Sequence, residues 1–242
     1  CGSCSMYGVE IAWWLPDLLL PVRCVACGRL LEGRSRWPLC DGCSASLHAA
    51  VLKHEAGNLC ARCGAVLRAE HGLCMRCRTT VDAFDSVWSL WRYRGAAKEA
   101  ILAFKGGSRH SLATYFADFV ADWIVKEHPG LPVVPVPPRQ DKYRVTGRDQ
   151  VEDIAVALEK RHGIRVWRAL VRKGTTEQKK LNREQRKLNL AHAIIMRDGT
   201  VAGQDIVLLD DVMTTGATLS ACAGALKNGG IRTVHAITLA SD

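Results

Sequence analysis

The chain has 242 residues, 48% of them hydrophobic, which is enough for one α/β domain with a sizeable core and something small beside it. Its formal net charge is +9 and its pI about 9.1, so its partners are expected to be anionic: nucleotides, nucleic acid or a phosphate-rich substrate. No run approaches the ~18 apolar residues that a membrane-spanning helix needs, so no membrane span is expected.

In chain order, residues 1–21 read as a tail or short helix. The apolar stretch Ile11–Val22 is broken by Pro16, Asp17 and Pro21. It has neither the basic flank nor the small-residue cleavage site of a signal peptide, and is expected to be an amphipathic helix docked on the body of the protein. Cys1 and Cys4 have no matching pair nearby, and the sequence assigns them no ion.

Residues 22–78 are expected to be a double zinc ribbon. Eight of the eleven cysteines form four C-x-x-C pairs: Cys24/Cys27, Cys40/Cys43, Cys60/Cys63 and Cys74/Cys77, separated by 12, 16 and 10 residues. A C-x-x-C knuckle turns two thiolates onto one ion, and two knuckles complete a tetrahedron at Zn–S of about 2.3 Å. Gly28 and Gly64 follow the first and third pairs, where the knuckle turn favours positive φ. Four pairs in a row exceed what a redox motif uses, and disulfides would suit an exported chain rather than a nucleotide-handling one. Two structural zinc ions follow, with no open coordination position for chemistry. The spacing fits a sequential pairing, with Cys24, Cys27, Cys40 and Cys43 on one ion and Cys60, Cys63, Cys74 and Cys77 on the other. Sequential pairing is the simplest, but spacing alone also admits a cross-braced one, first pair with third. So small a module has little core of its own and is expected to draw much of its stability from metal.

Residues 79–242 have a different texture. Val87–Tyr93 reads as an aromatic-rich strand, Ala96–Phe104 and Leu112–Val125 as helices, and Val133–Val136 as a short strand stopped by Pro137 and Pro138. Val151–Leu158 reads as a helix, Ala169–Val171 as a short strand, Asp205–Leu209 as a strand, Thr218–Asn228 as a helix closed by Gly229 and Gly230, and Thr233–Leu239 as a last strand. Strands alternating with helices predict a mainly parallel sheet with flanking helices, whose ligands sit at the carboxyl ends of the strands. Cys222 is expected to be buried packing. Between Lys160 and Lys187 eleven basic residues face two acids. This run is expected to be either a nucleic-acid groove or a flap over the site. Trp167 is its only aromatic, which limits base stacking and favours the flap.

The most informative segment is Ile206–Thr218, IVLLDDVMTTGAT. A buried strand ends in two carboxylates, Asp210 and Asp211, and a turn of Met213, Thr214, Thr215, Gly216, Ala217 and Thr218 leads into a helix. Such a turn converges backbone N–H groups and a helix N-terminus, which is a phosphate site. Carboxylates directly before a phosphate cradle call for a bridging group, and a ribose 5-phosphate provides one through its hydroxyls. No Gly-Lys-Ser/Thr follows a spaced glycine, which excludes a nucleotide-triphosphate P-loop.

This segment resembles the phosphoribosyl-pyrophosphate (PRPP) loop of type I phosphoribosyltransferases. The resemblance implies that the acidic pair holds the ribose hydroxyls and the turn holds the 5-phosphate. From Pro21 to Leu239 the chain resembles the ComF-type competence proteins, zinc ribbons fused to a type I phosphoribosyltransferase domain. The supporting segments are Tyr93-Arg94-Gly95 with Lys98, Phe104-Lys105, Val134–Pro137, Gly147 with Gln150, Gln178, Leu181, Arg183, Arg186 and Asn189. The family's Arg-Gly-Phe-Asn-Gln is Thr146-Gly147-Arg148-Asp149-Gln150 here, with Lys142, Arg144 and Arg148 keeping positive charge close by. The resemblance implies PRPP with Mg²⁺ as ligands, Asp210, Asp211, Lys142 and Lys105 as the chemical residues, and a cytoplasmic protein linked to DNA uptake. Its partners would be single-stranded DNA or a DNA-uptake helicase. No residue stands out as a general base, so the acceptor stays unnamed. The other expectation is a non-catalytic DNA- or partner-binding factor in which the loop is a sensor or relic.

Overall fold

The computed structural model describes residues 22–31, 36–51, 59–60, 62–64, 67, 72–80, 82–106, 111–139, 143, 147–173, 193–197 and 203–241. The expectations for residues 1–21 (with Cys1 and Cys4), Lys142, Arg144, Thr146, the second half of the basic run, Gln178, Leu181, Arg183, Arg186 and Asn189 lie outside these residues.

Twelve elements follow in order among the described residues: α1 (Asp41–Ala49), α2 (Met75–Thr79), β1 (Ser86–Arg92), α3 (Gly95–Lys105), α4 (Ser111–Glu127), β2 (Val133–Pro135), α5 (Gln150–His162), β3 (Leu170–Arg172), β4 (Ile194–Met196), β5 (Asp205–Met213), α6 (Ala217–Asn228) and β6 (Thr233–Ser241). The main sheet has strand order β1-β6-β5-β2 and every pairing in it is parallel. This is the mainly parallel sheet that the strand–helix alternation predicts. β3 and β4 form a separate antiparallel pair.

β5 runs four residues beyond the predicted end at Leu209. The reason is its neighbour: β6 keeps pairing through Asp210↔Thr238, Val212↔Ala240 and Met213↔Ser241, so the ladder carries the strand through the acidic pair. β4 and the two ribbon helices were not foreseen, because three to nine residues between loops carry too little periodicity to announce themselves.

The strands are apolar on both faces, as a covered parallel sheet requires. One face carries Trp88, Leu90, Val207, Leu209, Ile237 and Leu239 against α3, α4 and α5 through Ile101, Phe104, Phe116, Val120, Ile154 and Leu158. The other carries Val87, Val134, Ile206, Leu208, Val234 and Ala236 against Leu219, Cys222 and Leu226 of α6 and Leu170 and Ile194 of the small hairpin.

The two ribbons divide between these faces. Cys24, Leu39 and Leu47 join the first cluster, while Cys60, Cys63, Leu67 and Cys77 join the second. Together they embrace β1, an edge strand whose free backbone groups would otherwise invite pairing with another chain. The Val87 N–H donates to the Arg62 carbonyl at 2.7 Å. The Trp91 indole N–H donates to the Leu47 carbonyl at 2.9 Å. Trp91 is 1% exposed and Leu47 also 1%. The first ribbon is held further by Ser44 Oγ against Tyr115 Oη at 3.2 Å and by edge-on contact of Trp37 with the Tyr115 ring.

Candidate functional site

The eight knuckle cysteines come together in two groups, Cys24, Cys27, Cys40 and Cys43, and Cys60, Cys63, Cys74 and Cys77, with all sulfurs of a group within 4.8 Å of one another. Consecutive knuckles therefore come together and the cross-braced alternative is excluded. Cys27 Sγ lies 3.7 Å from Cys40 Sγ, and Cys63 Sγ 3.6 Å from Cys74 Sγ. A tetrahedron with Zn–S of about 2.3 Å has an edge near 3.8 Å, so both groups fit zinc. Burial opposes ionisation of Cys24 and Cys60, yet backbone N–H donors, chiefly from Cys40 and Cys74, bring each down to about 6. Burial and the neighbouring sulfurs push Cys43 and Cys77 upward. Positive φ at Gly28 (75°) and Gly64 (64°) lets each knuckle turn back on itself.

The second site lies at the carboxyl end of β5. Asp210 and Asp211 are partly buried, and each receives a backbone N–H from the residue after it: Asp211 N–H to Asp210 Oδ1 at 2.8 Å and Val212 N–H to Asp211 Oδ1 at 2.6 Å. Enclosure away from water, and then the charge of Asp211, raise the Asp210 carboxyl to about 7. Lys105, at the end of α3, pairs with Asp211 at 2.8 Å. Lys105 and Arg172 both favour ionised Asp210, but they do not overcome its desolvation. Arg172 is the residue that sequence reading missed here: it lies inside the long basic run, and nothing local marks it out from its neighbours.

After the acidic pair, Met213 turns into the core at 6% exposure, leaving only its backbone to a ligand. Thr214 and Thr215 are exposed, and Gly216 takes φ 75°, a left-handed conformation that suits glycine. Gly216 caps α6 with no side-chain oxygen, and the first turn of α6 contains no acid. Thr215 Oγ1 accepts from the Ala217 N–H at 3.4 Å. A helix start without side-chain cap or acid, reached through a glycine turn, is suited to an anion. The predicted Asp210, Asp211, Lys105 and Met213–Thr218 therefore lie on one β5–α6 connection with α3 against it.

The loop that departs from the family sequence is also accounted for. Asp149 caps α5, accepting from the N–H groups of Val151 and Glu152 at 3.0 and 3.2 Å, a role asparagine fills equally. Burial lifts its carboxyl to about 6, against those two donors. Arg148 is paired with Asp153, so its charge is compensated locally. Gln150 Nε2 donates to the Lys105 carbonyl at 3.4 Å and joins this loop to the end of α3. Two residues of the described part of the basic run are likewise engaged: Arg168 with Glu152 and Glu159, and Arg161 with Asp118. No helix among the described residues is long and apolar enough to cross a membrane.

The fold and the two kinds of site define a phosphoribosyltransferase-type α/β domain preceded by two four-cysteine zinc ribbons. Sequence comparison agrees: the double zinc ribbon domain family matches residues 15–78 and the phosphoribosyl transferase domain family matches residues 178–242. The chain is 26% identical over 199 residues to Competence protein ComFC of Bacillus subtilis (strain 168), covering 78% of this chain and 80% of that protein. It is 25% identical over 151 residues to Competence protein ComFC of Streptococcus pneumoniae (strain ATCC BAA-255 / R6), covering 62% and 66%. The chain thus carries a double zinc ribbon followed by a phosphoribosyl transferase domain, and is similar to ComFC over most of its length. Among solved structures, it is similar to the glutamine PRPP amidotransferase from B. subtilis complexed with ADP and GMP, at 18% identity and TM-score 0.39. That match covers 54% of this chain and 26% of the amidotransferase.

Proposed function

We propose that this protein binds PRPP at the β5–α6 connection and acts as a Mg²⁺-dependent phosphoribosyltransferase in the DNA-uptake branch of natural competence, in the cytoplasm. The observation that carries the reading is the placement of two carboxylates one short turn before a glycine-capped helix start without an acid in its first turn. A ribose 5-phosphate spans those two features: its hydroxyls donate to Asp210 and Asp211, and its phosphate takes N–H groups from Thr214–Thr218. Mg²⁺, a hard oxygen-seeking cation, would be held by substrate hydroxyl and pyrophosphate oxygens beside the acidic pair. Lys105 is already within reach of that pair, and Lys142 is proposed as a second cation for the pyrophosphate. Pyrophosphate leaves C1 with the bonding electrons, and an acceptor lone pair makes the new bond. The protein's contribution is orientation and stabilisation of the departing charge. The competence role rests on the name carried by both curated relatives.

Calorimetry with PRPP and Mg²⁺ tests the reading, comparing wild type with the Asp210→Ala/Asp211→Ala double variant. Binding heat in the wild type and its loss in the variant is the expected result. Absence of heat in the wild type overturns the proposal. Pyrophosphate release, followed over bases, amines and oligonucleotides, then searches for the acceptor.

A further inference from the structure

The second ribbon is connected to the PRPP loop by a continuous set of contacts. Arg62, between the ligands Cys60 and Cys63, donates through Nη1 to the carbonyls of Cys77 at 3.4 Å and Thr80 at 3.2 Å. The chain leaving the ribbon then lies along one stripe of α6. The Ala83 N–H donates to Ser220 Oγ at 3.0 Å. A Cβ placed on Gly224 would come to 3.8 Å from the Ala83 Cβ. Lys227 Nζ pairs with Asp85 at 2.9 Å. Ser220, Gly224 and Lys227 are spaced i, i+4, i+7, the spacing of one helix face. Ser220 is the member nearest the loop: its own N–H donates to the carbonyl of Gly216, the cap of α6. The first ribbon lies with the other face of the sheet and makes no such contact among the described residues.

We infer that Ser220 is a positioning residue through which metal occupancy of the second ribbon, and not of the first, sets the affinity of the PRPP loop. This rests on the proposed PRPP binding. The two-state element is the ribbon itself, ordered with metal and loosened without it. When the ribbon loosens, Thr80 loses its anchor at Arg62 and the first turn of α6 loses the Ala83–Ser220 bond. The effect is reciprocal, as any linkage between two binding equilibria must be.

The test measures PRPP–Mg²⁺ affinity by calorimetry on the full chain. Cys77→Ser, which removes a ligand of the second ion, should raise Kd about fivefold or more, whereas Cys43→Ser, in the first ribbon, should leave it unchanged. Ser220→Ala should raise Kd to a similar extent with both zinc ions retained, and Ser220→Thr, which keeps the acceptor oxygen, should restore it. In Cys43→Ser, equilibrium competition with a zinc chelator should show tighter zinc at saturating PRPP, by the same factor; Ser220→Ala added to that variant should abolish this gain. A purely structural role for Ser220 would lower thermal stability and leave that linkage intact. If the wild type binds no PRPP, the proposed function fails and the coupling with it. If it binds, and Ser220→Ala keeps the wild-type Kd while PRPP leaves the zinc competition of Cys43→Ser unchanged, the coupling is overturned and the function stands.

Discussion

Replacing Asp210 by asparagine should make the protein more stable and useless to PRPP. Asp210 has its carboxyl raised from 3.8 to about 7 by enclosure and by Asp211. Below pH 3.8 it is protonated folded and unfolded alike and contributes nothing. Between 3.8 and 7 the unfolded chain releases this proton while the folded protein keeps it, so stability falls as pH rises. Above 7 the cost is constant, at most about 4 kcal/mol at 1.36 kcal/mol per pKa unit. Sharing of charge with Asp211 and relaxation of the site reduce the expected gain of Asp210→Asn to about 2–4 kcal/mol at pH 8. The amide oxygen can still accept the Asp211 N–H. In zinc-replete buffer this corresponds to a rise in Tm of about 4–12 °C at pH 8 and about half of that at pH 5.5. Urea midpoints provide a second measure. The same variant should show no thermal stabilisation by PRPP and Mg²⁺. Equal or lower stability at pH 8, or a gain independent of pH, would refute the upward shift of the Asp210 carboxyl.

Gly216→Ala forces a β-carbon into φ 75°, costing about 1–2 kcal/mol and distorting the phosphate turn; a tenfold or greater loss of PRPP affinity is expected by calorimetry. Leu47→Ala should destabilise the protein by about 2–5 kcal/mol in urea and loosen the first ribbon, which tryptophan fluorescence at Trp91 would follow. Wild type should carry two zinc ions per chain, and Cys27→Ser/Cys43→Ser should lose one; loss of both would mean that the knuckles are cross-braced. Lys105→Ala removes the partner of Asp211 and should weaken PRPP binding more at low salt than at high salt, because the lost term is electrostatic.

Much of this protein is local, and what is local was legible in its sequence. A C-x-x-C knuckle closes on itself through a glycine, as at Gly28 and Gly64. The apolar run Ile206–Leu209, bounded by turn residues, marks a buried strand, and Gly216 after two threonines marks the turn that leads into α6. Choices between distant segments were not legible. Knuckle gaps of 12, 16 and 10 residues allow two pairings, and packing of the ribbons on opposite faces of the sheet selects one. The extension of β5 through the acids belongs to its neighbour β6. The charge of Arg148 is cancelled by Asp153, and Lys105 is turned onto Asp211, neither of which a linear pattern can announce. The acidic pair itself divides along this line: its presence is a matter of sequence, while the upward shift of the Asp210 carboxyl is set by the enclosing structure, because desolvation and neighbouring charge exist only once the chain has folded around it.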